Sequence, residues 1–525
     1  MKKWSGYRHE ICQESFDAII IGSGMSGLTA AVLLSQYGQR VLVLEKHFKA
    51  GGFTHTFTRK KYEWDVGIHY IGEVHKTKSH IRKLFDRITD GNLQWAKMDD
   101  NYDRIIFPDQ SYDFVAPKEK LIDILIGHFP EEKKAINDYI SLLESYVKSG
   151  RGYFASKALP KWLTPFLYRS MTKPFFEYAD RMTKDVLREF TQNEKLLGVL
   201  TGQWGDHGSP PGRSSFAMHA MVARHYLDGG NYPVGGSRMI AEYATDEIEK
   251  HGGKVVVNAG VDEILTKGKK AVGVRLENGD ELFASKVISS AGLMNTVNTF
   301  LRHQSSREMF KEKMKTVRPT ESYLCLYMGL NKTAKELGFK NTNLWIYPGY
   351  DHDQNVEKFR TNPNGEFPVV YVSFPSAKDP EWDKNHPGCA TMEAITLGPW
   401  DQFKAWKDEP WQGRGESYEA LKDSLSKKIL DVVYKHVPQA EGAMDYYELS
   451  TPLSVRNMAN YPIGEMYGLD HTPERFHQKW LRPQTEIKNL YLTGQDVTTV
   501  GLTSALFSGL LTASSVLGKN LIKTL

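Results

Sequence analysis

An α/β fold built around a twisted parallel sheet is predicted by three stretches of this sequence. The first is Asp17 followed by an apolar run over residues 18–21 that ends in Gly22-Ser23-Gly24, with a further glycine at Gly27. The second is Val41-Leu-Val-Leu followed by Glu45. The third, near the other end of the chain, is Leu490-Tyr-Leu-Thr-Gly494-Gln-Asp496. The first two read as strand, glycine turn, helix and a second strand closing on a carboxylate, which is a dinucleotide-binding βαβ unit. The fold class is therefore α/β, with a discontinuous Rossmann-type domain.

Each position in that unit has a physical use. Gly22 permits the tight turn, Gly24 lets backbone approach a pyrophosphate, and Gly27 lets the helix pack close to the sheet. The helix N-terminus offers free N–H groups and a positive dipole end to the phosphates. Glu45 is placed to accept hydrogen bonds from a ribose diol. The pair Gly51-Gly52 then moves the choice from NAD to FAD, as a second glycine turn beneath the cofactor's phosphates. Ser23, Lys46 and Val261 complete the expected cofactor-binding set on this side.

Residues 53–72 read as a strand-and-turn segment lying against the cofactor, residues 81–88 as a short helix, and residues 105–115 as a hairpin. From 119 to 195 the apolar spacing is mostly helical. A second nucleotide-domain block starts at Tyr232-Pro-Val-Gly-Gly-Ser, with a helix over 238–251, a strand at 254–257, a meander through 276 and a strand ending Ser289-Ser-Ala-Gly292. Strands at 323–330, 369–374 and 391–396 and a helix at 417–436 predict a second, substrate-facing domain. At the end, Gly494 permits close approach to the ribityl-pyrophosphate and Asp496 can accept from a ribityl hydroxyl. The helix starting near Gly501 would aim its positive end at the flavin edge that becomes negative on reduction. The expected division is an FAD-binding domain over 1–118, 232–312 and 467–525, a helical substrate- or membrane-facing part at 119–231, and a substrate-domain sheet at 313–466.

Composition narrows the function classes. The 525 residues are 40% hydrophobic and 25% charged, as in a folded globular chain. A net charge of +4 gives no argument for nucleic acid. Three cysteines without a CxxC pattern argue against a metal or disulfide role. No apolar run reaches the ~20 residues of a spanning helix, and the polar opening predicts no cleaved leader, so a cytoplasmic location is expected. A peripheral membrane contact is expected at 151–173, where Arg151, Lys157, Lys161, Arg169 and Lys173 interleave with aromatic and leucine residues and no acid. Pro160 and Pro165 interrupt that helix.

Over nearly its full length the chain resembles the retinol saturases (all-trans-retinol 13,14-reductases), within the superfamily of carotenoid isomerases and phytoene desaturases. The resemblance is carried by Asp65-Val-Gly-Ile-His-Tyr-Ile-Gly72, Ser215-Phe-Ala-Met-His-Ala, Phe374-Pro-Ser-Ala-Lys-Asp-Pro380 and the terminal Gly494-Gln-Asp496 stretch. At one point it departs: Val234 stands where the family has an arginine, with Arg238 four residues on. The resemblance implies an amine-oxidase/phytoene-desaturase-like architecture with a mixed α+β substrate domain, FAD as cofactor and a lipophilic polyene as substrate. It implies saturation of a C=C bond, with redox-neutral isomerisation or desaturation as alternatives and a flavin-free prenyl-binding escort as the non-enzyme alternative. Saturation needs a proton donor beside the flavin. His69 and Tyr70 are the candidates, and His219, His225 and Tyr467 are candidate substrate-channel residues. No second glycine fingerprint serves a pyridine nucleotide, which leaves NAD(P)H, another protein or a quinone as external reductant.

Overall fold

The computed structural model describes residues 3–160 and 162–525. Its first sheet has eight strands in the order Ser5–Gly6, Lys254–Val257, Val41–Leu44, Phe16–Ile21, Glu281–Ser289, Lys270–Leu276 and Val261–Lys267, with Leu490–Leu492 pairing on Glu281–Ser289. Phe16–Ile21 pairs in parallel with Val41–Leu44 on one side and Glu281–Ser289 on the other. All its residues but Asp17 are buried. Such a strand, covered on both faces, reads as a continuous apolar run instead of an alternating one. Three regions far apart in sequence thus meet in the parallel part of one mixed sheet.

The helix Met25–Gln36 is buried on all sides over residues 25–35. It packs against the helix Leu502–Leu517 at a glycine: a Cβ on Gly509 would lie 2.6 Å from the Ser26 carbonyl oxygen and 2.6 Å from the Thr29 Cβ. That contact draws the last helix of the chain onto the first.

The second sheet has seven strands, in the order Met444–Ser450, Tyr323–Leu330, Ala390–Leu397, Val370–Ser373, Asn343–Ile346, Asn101–Ile106 and Ser111–Val115. The hairpin expected at 105–115 forms over Asn101–Val115, within the 1–118 segment that the sequence assigns to the nucleotide-binding part. Its first strand instead runs parallel to Asn343–Ile346, so it extends the second sheet. Local patterning shows a hairpin and not the edge it joins. A three-stranded sheet of Ile71–Gly72, Gly230–Pro233 and Trp95–Lys97 ties the Gly67–Gly72 segment to the chain leaving the helical region.

Helices Lys133–Lys157, Thr164–Ala179 and Phe216–Tyr226 pack together on the second sheet's core. The first two are separated by the turn at Pro160, and Pro165 sits in the opening turn of the next helix, where its missing N–H costs nothing. At that corner Trp162 and Phe166 stand 71% and 79% exposed. No helix among the described residues is long and apolar enough to cross a membrane.

Candidate active site

The glycine turn is built as its sequence requires. A Cβ on Gly27 would lie 2.3 Å from the Gly22 carbonyl oxygen and 3.1 Å from the Ser290 Cβ, so the helix can approach the turn only without a side chain. At Gly24 the nearest such atom, Ser290 Oγ, is 3.8 Å away, so the fold itself leaves room for a methyl. Glu45 Oε2 accepts from the Ser23 amide at 2.9 Å and the Ser23 hydroxyl at 2.5 Å, and the Gly51 amide donates to Ser23 Oγ at 3.0 Å. Glu45, the first turn and the Gly51-Gly52 turn are thereby one unit. Ser26 Oγ lies 2.9 Å from Ser290 Oγ, and a Cβ on Gly494 would lie 3.4 Å from Ser26 Oγ, so the three distant segments converge here.

Two helix N-termini belong to this convergence. Gly24 caps Met25–Gln36 and Gly501 caps Leu502–Leu517, both without a side-chain cap. First-turn N–H groups have no intrahelical acceptor, and their dipole end favours negative charge. Two uncapped N-termini beside glycine backbone are a donor set that fits the phosphates and flavin edge of FAD.

A second centre lies on the other sheet. Adjacent strands place one residue each in a single row: Tyr327 opposite Glu393, Glu393 opposite Ser373, and Asn343 opposite Asp103, with the Leu344–Val372 pairing setting Asn343 beside Ser373. Residues in such a row share a face. The Gly67–Gly72 segment crosses this row. Lys378 Nζ donates to the His69 carbonyl at 2.8 Å, to Asn343 Oδ1 at 2.5 Å and to Ser373 Oγ at 2.7 Å. Tyr70 Oη lies 3.0 Å from Asp103 Oδ2 and 3.1 Å from Asp206 Oδ2. Asp103 also accepts from Asn343 Nδ2 at 2.9 Å and Gln203 Nε2 at 2.7 Å.

The profile of the flavin containing amine oxidoreductase family matches residues 25–302 of this chain. An all-trans-retinol 13,14-reductase of Danio rerio is 36% identical, over 97% of this chain and 87% of the relative. The chain belongs to that reductase family. It is an FAD-dependent oxidoreductase. A second Danio rerio relative, 32% identical over 96% of this chain and 86% of its own length, is named an inactive all-trans-retinol 13,14-reductase. A Methanosarcina mazei oxidoreductase of known structure shares the fold, with a TM-score of 0.64 at 15% identity over 96% of this chain and 100% of that one.

In this reductase-family chain, burial sets the charge state of the second centre. Desolvation pushes Glu393 up to about 8, and desolvation plus the Asp103 charge pushes Asp206 up to about 8. Burial pulls His69 down to about 3, with Lys378 adding to the effect, and pulls Lys378 down to about 7 against the nearby carboxylates. His69 Nδ1 and Glu393 Oε2 are 2.8 Å apart, yet among the described residues neither ring nitrogen has an aligned hydrogen-bond partner. Burial of both groups favours a neutral imidazole beside a protonated acid over an ion pair. Further buried atoms without a partner among the described residues are the Tyr323 hydroxyl, the indole nitrogens of Trp204 and Trp345, and both ring nitrogens of His207. Buried polar atoms are paired in the great majority of cases, so a concentration of open donors and acceptors marks a working face. Its walls are aromatic: Tyr70 stacks on Tyr226 at 4.2 Å, and Tyr371 lies 5.4 Å from His69 and 4.5 Å from Trp345.

Tyr70 has one proton for two carboxyl groups. Asp206, protonated, donates to the Tyr70 oxygen while Tyr70 donates to Asp103. Because the folded value for Asp206 lies above its ordinary one, its contribution to stability is full below about 4 and is lost as pH rises through about 8. Asp206→Asn keeps a donor at the same place and is expected to flatten the loss of stability between about pH 4 and 8 by about 1–3 kcal/mol, the scale of a buried unmatched group. Melting curves across pH check this; a variant that falls as steeply as wild type contradicts the assignment.

The other expected site residues fall in several places. Both Asp496 oxygens already accept backbone N–H groups, from Leu293 at 2.7 Å and Leu469 at 3.0 Å, so its carboxylate ties three loops together. Lys46 pairs with Glu277 at 2.8 Å in solvent, and Val261 opens a strand just after Ala259, whose amide donates to the Glu45 carbonyl at 2.8 Å. His219 Nε2 meets the Tyr139 hydroxyl at 2.8 Å, and His225 Nε2 accepts from the Gly72 amide at 2.8 Å. Those nitrogens are occupied by structural bonds. Tyr467 is half-buried, edge-on to Tyr323 at 5.6 Å. Arg238 is neutralised by Glu242 at 2.8 Å and Glu63 at 3.4 Å. Lys161 lies outside the described residues. Sequence reasoning missed Asp103, Asp206, Lys378 and Glu393. Two signals were there: Lys378 sits inside the Phe374–Pro380 stretch, and Glu393 is a lone acid in the apolar run 390–397.

Proposed function

We propose that this chain reduces a carbon–carbon double bond of a lipophilic polyene, a retinoid or related isoprenoid, on the polar row of the second sheet. Because one relative bears the same name with the word inactive, family membership alone does not carry this reading. The observation that carries it is the row itself, where a neutral His69 and a protonated Glu393 stand among aromatic walls. Contiguity supports it. Gly52 lies against Gly24, Phe53 lies against Gly67, and His69 follows two residues later.

In this reading Gly22, Ser23, Gly24, Gly27, Glu45, Gly51, Gly52 and Gly494 hold FAD, with Asp496 fixing the loop geometry. When bound there, FAD supplies the hydride chemistry. The chain's own work is to exclude water and to hold a proton. Glu393 stores the proton in a carboxyl group, His69 relays it from Nδ1 to the Nε2 side, and Lys378 fixes the His69 backbone. The flat rings of Tyr371, Trp345 and Tyr226 suit a conjugated chain. The external reductant is NAD(P)H or another carrier.

The reading includes a peripheral membrane contact, since such a substrate partitions into lipid. Its support is the exposed corner of Trp162, Phe166 and Leu167.

The test is anaerobic incubation of the reduced FAD-loaded protein with all-trans-retinol, followed by mass analysis. A gain of two hydrogens is expected. Unchanged mass with altered geometry would assign isomerisation, and recovered substrate would sink the retinoid proposal.

A further inference from the structure

Beneath the exposed corner is a shallow cleft lined by Tyr153, Lys157, Thr164, Tyr168, Lys479 and Arg482. We infer that this cleft binds the phosphate of an anionic phospholipid headgroup. The inference rests on the membrane contact proposed above and adds to it a site and a chemistry.

Among the described residues no acid pairs with the cations of this cleft. Lys157 is 8% exposed, and its ammonium donates to the Leu481 carbonyl at 2.7 Å and lies 4.8 Å from the Tyr153 ring centre. An ammonium has three N–H donors, so that carbonyl does not exhaust them. Arg482 is 7% exposed; it donates to the Leu159 carbonyl and to Thr164 Oγ1 at 3.1 Å, while its buried Nε has no partner. Lys479 stands at the exposed rim, 4.6 Å from the Tyr168 ring centre. The charges acting on Lys157 are the cations Arg475 and Arg482, and burial alone acts on Arg482. Arg475 is itself occupied by the carbonyls of Leu469, Gln495, Asp496 and Thr498.

Burying unmatched cations is unfavourable unless an anion completes the site. Phosphate suits it, because a guanidinium N–H and two ammonium groups all donate to oxygen. The position selects a lipid over a free ion. Leu159 and Thr164, both held by Arg482, flank the turn that carries Trp162, and Phe166 follows in the next helix. Aromatic residues at interface depth above a basic cleft match the layering of acyl chain and headgroup.

The test is co-sedimentation of the FAD-loaded protein with phosphatidylcholine vesicles, with and without phosphatidylglycerol. Wild type is expected to bind both and to prefer the anionic ones. Lys157→Met with Lys479→Ala should remove a preference of roughly twenty-five-fold, about fivefold for each lysine near an anionic surface, and leave phosphatidylcholine binding unchanged. Lys267→Ala, in the hairpin of the other sheet, should leave the preference intact and so excludes a net-charge effect. If Lys157→Met fails to fold, Lys479→Ala alone, at an exposed side chain, should cost about fivefold. Inorganic phosphate, at matched ionic strength in chloride, should compete for the anionic vesicles only.

Equal binding to the two vesicle types overturns the headgroup site while leaving the membrane contact standing. Binding to neither overturns both. Phosphate bound in titration calorimetry, lost in the double variant and unaccompanied by a vesicle preference, replaces the lipid with a soluble anion.

Discussion

A Gly24→Ala chain is expected to fold as wild type does and to lose its flavin. The nearest protein atom to a Cβ there is 3.8 Å away, so the fold accepts a methyl. As a helix cap, alanine in place of glycine costs at most about 1 kcal/mol. The space the methyl enters is where the backbone meets a pyrophosphate in the proposed mode. Gly27→Ala makes the contrast, since its methyl would lie 2.3 Å from the Gly22 carbonyl oxygen. Overpacking of that kind costs about 1–3 kcal/mol, and more when backbone must move. Visible flavin absorbance after dialysis and the melting temperatures of the flavin-free proteins separate the two. Gly24→Ala should match flavin-free wild type in stability, and Gly27→Ala should fall below it. Wild-type FAD content in Gly24→Ala would show that the phosphates lie elsewhere.

The second large effect concerns the proton. His69→Ala is expected to keep FAD and to lower turnover by roughly a hundredfold to ten-thousandfold, the range for removal of a general acid. Glu393→Gln should give a loss of the same order while preserving volume. Glu393 is pushed up to about 8 by burial. Since the relay needs the protonated form, wild-type turnover should fall as pH rises through about 8. In Glu393→Gln the residual turnover should lack that limb. Single-turnover rates across pH, with the flavin already reduced, provide the measurement. A Glu393→Gln protein with the wild-type pH profile would remove Glu393 from the relay, and a fully active His69→Ala protein would retire the whole arrangement.

Much of the fold can be read directly from the chain. The run ending at Gly22, the run ending at Glu45 and the run ending at Gly494 are strands because each is a short, mostly apolar stretch, and each turns at a glycine with positive φ or at a carboxylate. The strand Tyr323–Leu330 and the helix starting at Arg238 fall at their expected positions for the same local reasons. The hairpin Asn101–Val115 shows the limit. Its alternation and turn define two paired strands, but the sheet they join depends on a partner, Asn343–Ile346, far along the chain.

The sequence by itself determined the nucleotide-binding unit and its glycines, because backbone freedom, close approach and apolar burial are properties of neighbouring residues. The tertiary structure alone decided the second centre. Tyr327, Glu393, Ser373, Asn343 and Asp103 come from five strands whose registers line them up, and Lys378 and Asp206 reach them from other elements. The charge states there follow from burial among those particular neighbours, and burial is settled only when the sheets have packed. For the same reason only the folded chain shows that Asp496 also braces its neighbouring loops, and that Lys157, read in the sequence as part of a membrane-facing basic stretch, is a buried cation facing a cleft.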